Sequence, residues 1–298
     1  MFNLFDNEHF KTRFGFKVPA IKSIRLFYEQ IDMTKSVIFF RFFCITMLFQ
    51  VAVNYADSQA QAQAQIQIDH VVVAVSNLDS ASLGFRNLGF TQKEGRLHTN
   101  GLLNRHIKFL DGTELELMTV IGEPKDEMAK GYYNFLESGE GGAFIAFQAK
   151  LVHVLEASST IDVSAIFQEI GGFRYVTFSD QGLENIFFIE YEHLIQDSNN
   201  LLKHENGVIG IDEVWIEASS KLRRLFDVLN IKETGVVKSP TGLIGERYDN
   251  GVVIINNHLD VRPRVLGVKL KTSKSQNTIL INPEDAHGIW IELINLSD

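Results

Sequence analysis

A stretch of about fifty residues, 68–120, carries one strand, one helix and three more strands between clear turn signals, and this order constrains the fold more than any other feature. Ile68–Val75 (IDHVVVAV) is rich in β-branched residues and reads as a strand. Ser76, Asn77 and Asp79 offer helix caps ahead of Leu83, Phe85 and Leu88, and Gly89 ends that helix. The pattern then predicts short strands near Phe90–Glu94 and through Asn104–Leu110, an Asp111-Gly112 turn, and a last strand from Thr113 to Met118. Strand alternation puts His70 on the face of Ile68, Val72 and Ala74, with Val71, Val73 and Val75 turned toward the helix. Glu116 likewise shares a face with Glu114 and Met118, away from Leu115 and Leu117.

The rhythm returns along the chain. Gly141-Gly142 opens the strand AFIAFQA, a helix is expected over Ile161–Ile170, and the strands RYVTF and NIFFIEY close a second unit at Glu190. The segment between the two units, Gly122–Gly131, reads as a polar loop. After a polar linker at Gln196–Asn206, IDEVWIEA, the amphipathic KLRRLFDVLNI and the turn Asp249-Asn250-Gly251 make a third unit. A degenerate fourth, without an evident helix, runs from Val265 to Ile294. The expected fold class is α+β, with four βαβββ units of which the last is degenerate. The expected divisions are 1–66 as a leader outside the fold, 67–197 as the first pair of units and 198–298 as the second pair.

The quoted patterns resemble the vicinal oxygen chelate superfamily, and within it glyoxalase-like proteins, whose first strand carries a His and whose fourth ends in x-L-E-L. DHVVVAVSNLDSA…LGF and GTELELM carry the resemblance most strongly. It implies a divalent metal held by His70, Glu116 and Glu190, with Phe144 standing where glyoxalase I-like proteins often place a second metal-binding His. It further implies Glu190 and Glu116 as catalytic carboxylates. His98, Gly101 and Asn104 match a His-x-x-Gly-x-x-Asn pattern of such domains, which assigns His98 and Asn104 to substrate binding. His204-Glu205-Asn206-Gly207 resembles the family's H-P-N-G element with Glu in place of Pro, and reads as a structural turn.

One imidazole and two carboxylates suit Zn, Ni, Mn or Fe, and a metal so held acts as a Lewis acid toward a carbonyl or carboxylate. Bland readings stand beside this one. A lone His is often a satisfied core or rim residue, and Glu116 or Glu190 could face solvent on a half-exposed strand. Arg105 and His106 read as ordinary exposed strand residues. Two functions therefore stay open: a glyoxalase-like metal-dependent lyase or isomerase acting on a small carbonyl or carboxylate compound, and a non-catalytic pocket that sequesters a small molecule. A dioxygenase is less favoured, because VLGVKLKT in the fourth unit offers no ligand and Glu213 takes the place of His70 in the third.

Composition trims the alternatives. A net charge of −9 argues against nucleic acid, whose backbone needs clustered Lys and Arg. The single cysteine, Cys44, excludes a disulfide framework or a thiolate metal site. Val37–Val53 is almost wholly apolar, interrupted by Arg41, and the small, polar YADSQAQAQAQ lies downstream. With a start at Met33 this reads as a signal peptide cleaved near Gln61, giving a periplasmic or secreted protein; a membrane anchor is the alternative. Membrane contact is expected only through this segment, and self-association into a homo-oligomer is compatible with the rest.

Overall fold

The computed structural model describes residues 66–170, 172–193, 197–256, 264–274 and 277–296. The expected targeting segment Val37–Val53 lies outside the described residues, as does the rest of the expected leader up to residue 65. Ala64–Asp298 forms one unit of the chain. Among the described residues no helix is long and apolar enough to cross a membrane.

The first strand, β1 (Gln67–Ala74), is followed by α1 (Leu78–Asn87), β2 (Lys93–Leu97), β3 (Leu102–Lys108) and β4 (Glu114–Val120). Asn77 caps α1 by accepting the Ser80 N–H at 2.9 Å, as its type and position predict. Then come α2 (Glu127–Leu136), β5 (Gly141–Gln148), α3 (Leu151–Thr160), β6 (Ala165–Ile170), β7 (Phe173–Phe178) and β8 (Ile186–Tyr191). The remainder comprises β9 (Val208–Ala218), α4 (Ser220–Val228), β10 (Glu233–Lys238), β11 (Ile244–Tyr248), β12 (Val252–Asn256), β13 (Arg264–Thr272), β14 (Ile279–Ile281) and β15 (Trp290–Asn295). The architecture is α+β and dominated by one mixed sheet.

That sheet runs β10-β11-β12-β9-β13-β5-β1-β4-β3-β2, with β8 beside β5 and β15 beside β13. β1 and β5 pair antiparallel, so the first two units share a sheet as their alternation predicts. The β5–β13 junction is narrow: Gly142 pairs with Val265, and a side chain at Gly142 would come within 2.6 Å of the Val265 carbonyl oxygen. Val71, Val73 and Val75 pack with Leu78, Ala81 and Phe85 in the main core. Val72 and Ala74 line the opposite face with Met118, Tyr132 and Ala143.

Two elements differ from expectation. The helix lies at Leu151–Thr160, while residues 165–170 of the expected helix form β6. No side chain of its own sequence neighbours caps α3; the Leu151 N–H donates instead to the Glu190 carboxylate at 3.2 Å, a partner 39 residues away. The polar segment expected to be a loop holds α2, which Asp126 caps through the Ala129 N–H at 2.8 Å.

Candidate metal and substrate site

Strand register assembles a polar patch on the face opposite α1. β1 and β4 run parallel with His70 beside Glu114 and Val72 beside Glu116. β3 runs antiparallel to β4, setting His106 beside Glu116 and Lys108 beside Glu114, with Asn104 beside Met118. Because alternate residues share a face, His70, Asn104, His106, Lys108, Glu114 and Glu116 converge. Glu114 and Glu116 are only 5% and 8% exposed, a burial that carboxylates tolerate only with partners.

Those partners form a chain. Tyr191 donates to Asp69 Oδ2 at 2.7 Å, and the same oxygen lies 2.6 Å from His70 Nδ1. His70 Nδ1 is thereby the protonated nitrogen, leaving Nε2 as a lone-pair donor 3.7 Å from Glu116 Oε2. Asn104 Nδ2 donates to Glu116 Oε1 at 2.6 Å and stands 3.2 Å from His106 Nε2. His106 Nδ1 in turn meets Glu114 Oε1 at 3.0 Å, and Lys108 pairs with the other Glu114 oxygen. Burial pushes the His106 pKa down to about 4, so its ring is neutral near pH 7. Burial also raises Tyr132 and, with help from Asp69, Tyr191, and lifts Tyr175 to about 12; these phenols stay protonated near pH 7. Phe187 edges onto the His70 ring at 5.4 Å between centroids.

Of the residues expected from the sequence, the structure brings together His70, Glu116 and Asn104. His98 stands at the rim, its pKa lowered by burial and by Arg96, and its Nε2 is buried without a hydrogen-bond partner. Glu190 is not brought to them. It shares the side of β8 that Ile186 and Phe188 turn to the core, where it holds the N-terminus of α3 and pairs with Lys150 at 2.9 Å and Arg174 at 3.5 Å.

The reason is a slip between sequence repeat and spatial repeat. His70–Ala146 and Val72–Phe144 are paired across β1 and β5, so a local twofold axis exchanges His70 with Phe144 and Val72 with Ala146. Val72 sits beside Glu116, whereas Ala146 sits beside Phe187. Phe187, three residues before Glu190, thus takes the place that Glu116 holds in the first unit. Where the first unit presents His70 and Glu116, the second presents Phe144 and Phe187, with Tyr132 packed on Phe144 at 4.5 Å.

Sequence reasoning missed Asp69, Lys108, Tyr191 and the roles of His106 and Glu114. The signal for His106 was its two-residue spacing from Asn104, which fixes a common face; that for Glu114 was the same spacing from Glu116. Among the described residues the second half offers no comparable set. Glu213 is covered by Lys269 at 2.9 Å and by Arg247, and Lys269 also approaches Glu292 at 3.7 Å, so its carboxylates are matched by side-chain cations. His204 accepts the Thr91 N–H at Nδ1 (3.0 Å) and donates from Nε2 to the Lys108 carbonyl (2.9 Å), the structural role expected of its turn.

A family profile described as a glyoxalase-like domain matches residues 68–226, more than half of the chain. The chain belongs to the glyoxalase-like domain family. No curated protein sequence matches it. Among solved structures, this glyoxalase-like protein is similar to a hypothetical protein from Staphylococcus aureus at 13% identity and a TM-score of 0.57, covering 78% of this chain and 99% of the other. It is also similar to the 2,3-dioxygenase LapB from Pseudomonas sp. KL28 at 11% identity and a TM-score of 0.53, covering 78% and 93%. Homoprotocatechuate 2,3-dioxygenase from Arthrobacter globiformis matches at 12% identity and a TM-score of 0.51, covering 77% and 79%. These likenesses are of fold, and they agree with the vicinal oxygen chelate resemblance of the sequence.

Proposed function

We propose that the protein is a metal-dependent enzyme acting on a small carbonyl or carboxylate compound in the cleft lined by β1, β3 and β4. The observation that carries this is the orientation of His70: Asp69 binds Nδ1 at 2.6 Å and Nε2 is turned toward Glu116 Oε2 at 3.7 Å. A carboxylate behind a histidine fixes tautomer and direction, the arrangement that favours metal ligation. Nitrogen and carboxylate oxygen together fit a Zn, Ni, Mn or Fe ion, and such an ion supplies Lewis-acid polarisation of a substrate oxygen when bound.

The chain's own groups do the rest. Asn104 accepts the Arg96 N–H and donates to Glu116, which holds that carboxylate in place, and the unpartnered His98 Nε2 presents a hydrogen-bonding atom to a carbonyl or carboxylate. Neutral His106 stands beside the Glu116 carboxylate, and Tyr175 keeps its phenolic proton. Glu190 has no part in this chemistry.

Phe144 and Phe187 support a second reading, in which the same cleft sequesters a small molecule without turnover, since the second unit contributes an aromatic wall and no ligand. Elemental analysis of the purified protein after incubation with each metal, then desalting, separates the two. The enzyme reading expects one ion per chain in the wild type and loss of stoichiometric metal in His70→Ala with unchanged circular dichroism. A wild type that retains no metal transfers the assignment to the binding pocket.

A further inference from the structure

Building on the reading of His70 and Glu116 as metal ligands, we infer that the metal centre is completed within the first unit by His106 and Glu114, with Lys108 as a resident cation that the incoming ion must displace from Glu114. The second unit cannot complete it, because the axis-related positions hold Phe144 and Phe187. On the first unit, one ligand atom each from His106, Glu114 and Glu116 lies within 4.8 Å of the others. The nine-tenths buried His70 lies outside that group of three but borders it as a fourth donor, its Nε2 standing 3.7 Å from Glu116 Oε2. Two imidazoles and two carboxylates make a complete set for a borderline divalent ion.

One feature of this cluster opposes a metal. The Lys108 ammonium is paired with Glu114 Oε2, placing a positive charge against a carboxylate that is only 5% exposed. A divalent cation and an ammonium cannot both neutralise that carboxylate without strong mutual repulsion in so dry a place. Lys108 has somewhere to go: its side chain is a quarter exposed, and Asp197, the partner of Lys93, is close enough to act on its charge. The ammonium therefore balances the Glu114 charge in the metal-free cluster, and metal affinity is set by its removal.

Titration of the purified full chain with Mn, Zn and Ni by calorimetry tests this through six proteins: wild type, Lys108→Gln, Lys108→Arg, Glu114→Gln, His106→Ala and the Lys108→Gln/Glu114→Gln double variant. Lys108→Gln is expected to bind the ion about tenfold or more tightly than wild type, the scale on which groups bordering a ligand shift affinity. Glu114→Gln should weaken binding about 10- to 100-fold, and in that background Lys108→Gln should change nothing further. His106→Ala should weaken binding on the same scale. Lys108→Arg, which keeps the charge and guards against a folding artefact, should leave affinity near the wild-type value. Unchanged affinity in Lys108→Gln, or unchanged affinity in both Glu114→Gln and His106→Ala, overturns the inference while a metal-binding wild type keeps the function reading. Absence of binding in every variant, including Lys108→Gln, overturns both.

Discussion

Replacing His204 tests whether the turn after the second unit is structural, and the size of the effect follows from its contacts. The ring is 6% exposed, accepts from the Thr91 N–H at 3.0 Å, donates to the Lys108 carbonyl at 2.9 Å, and packs edge-on against Phe90 and Phe109. His204→Ala strands a backbone donor and a backbone acceptor and removes the ring; at about 1–1.5 kcal/mol for each lost bond, the loss is roughly 2–3 kcal/mol before packing is counted. The Nδ1 that accepts from Thr91 must be unprotonated, and burial lowers the His204 pKa. With the folded pKa below the unfolded value of about 6.5, the unfolded chain binds the extra proton first. Stability is thus fully present above about pH 6.5 and declines as pH falls through that value toward the folded pKa. Urea denaturation at pH 7.5 and pH 5.5 on wild type, His204→Ala and His204→Gln reads both effects, since other titrating groups are common to all three. A loss below about 1 kcal/mol in His204→Ala, or equal pH dependence in wild type and His204→Gln, refutes the reasoning.

Other outcomes follow from the same geometry. Glu190→Gln should leave metal stoichiometry unchanged and cost about 1 kcal/mol in chemical denaturation, because it weakens the N-terminal hold on α3. Asp69→Asn should reduce metal affinity about 10- to 100-fold by freeing the His70 ring, measured by competition with a chromogenic chelator. Gly267→Ala should destabilise by about 1–3 kcal/mol, since the Trp290 ring lies flat against that backbone; tryptophan fluorescence melting reports it. The proposed export signal at Val37–Val53 should be missing from protein recovered outside the cytoplasm, with amino-terminal sequencing beginning near Gln61.

Much of the frame was legible because β-branched alternation and turn chemistry are local properties. Val71, Val73 and Val75 reach the core, Asn77 caps α1, and β9 and β13 fall where their patterns predict. What could not be read depended on distant partners. α3 takes its N-terminal support from Glu190, so nothing near Lys150 announces a helix and the neighbouring apolar spacing at 161–170 attracts the prediction instead. The site shows the same division. His70, Glu116 and Asn104 follow from face and motif, whereas placing Glu190 required the β5–β8 register, which no local repeat encodes. His106 looked like an exposed residue because its strand is short and polar; its burial comes from β4 and the cleft around it.

The exchange of His70 and Glu116 for Phe144 and Phe187 also bears on how a ligand can sit. A cleft formed by two like halves offers a symmetric guest two equivalent poses, related by the axis between the strands. Here one side of that axis carries hydrogen-bonding and charged atoms and the other carries phenylalanine and tyrosine. Turning a guest end over end would press its polar atoms against rings and leave His98 opposite hydrocarbon. The duplicated scaffold is thereby made directional, and under the proposed function a guest with one polar and one apolar end would be received in a single sense.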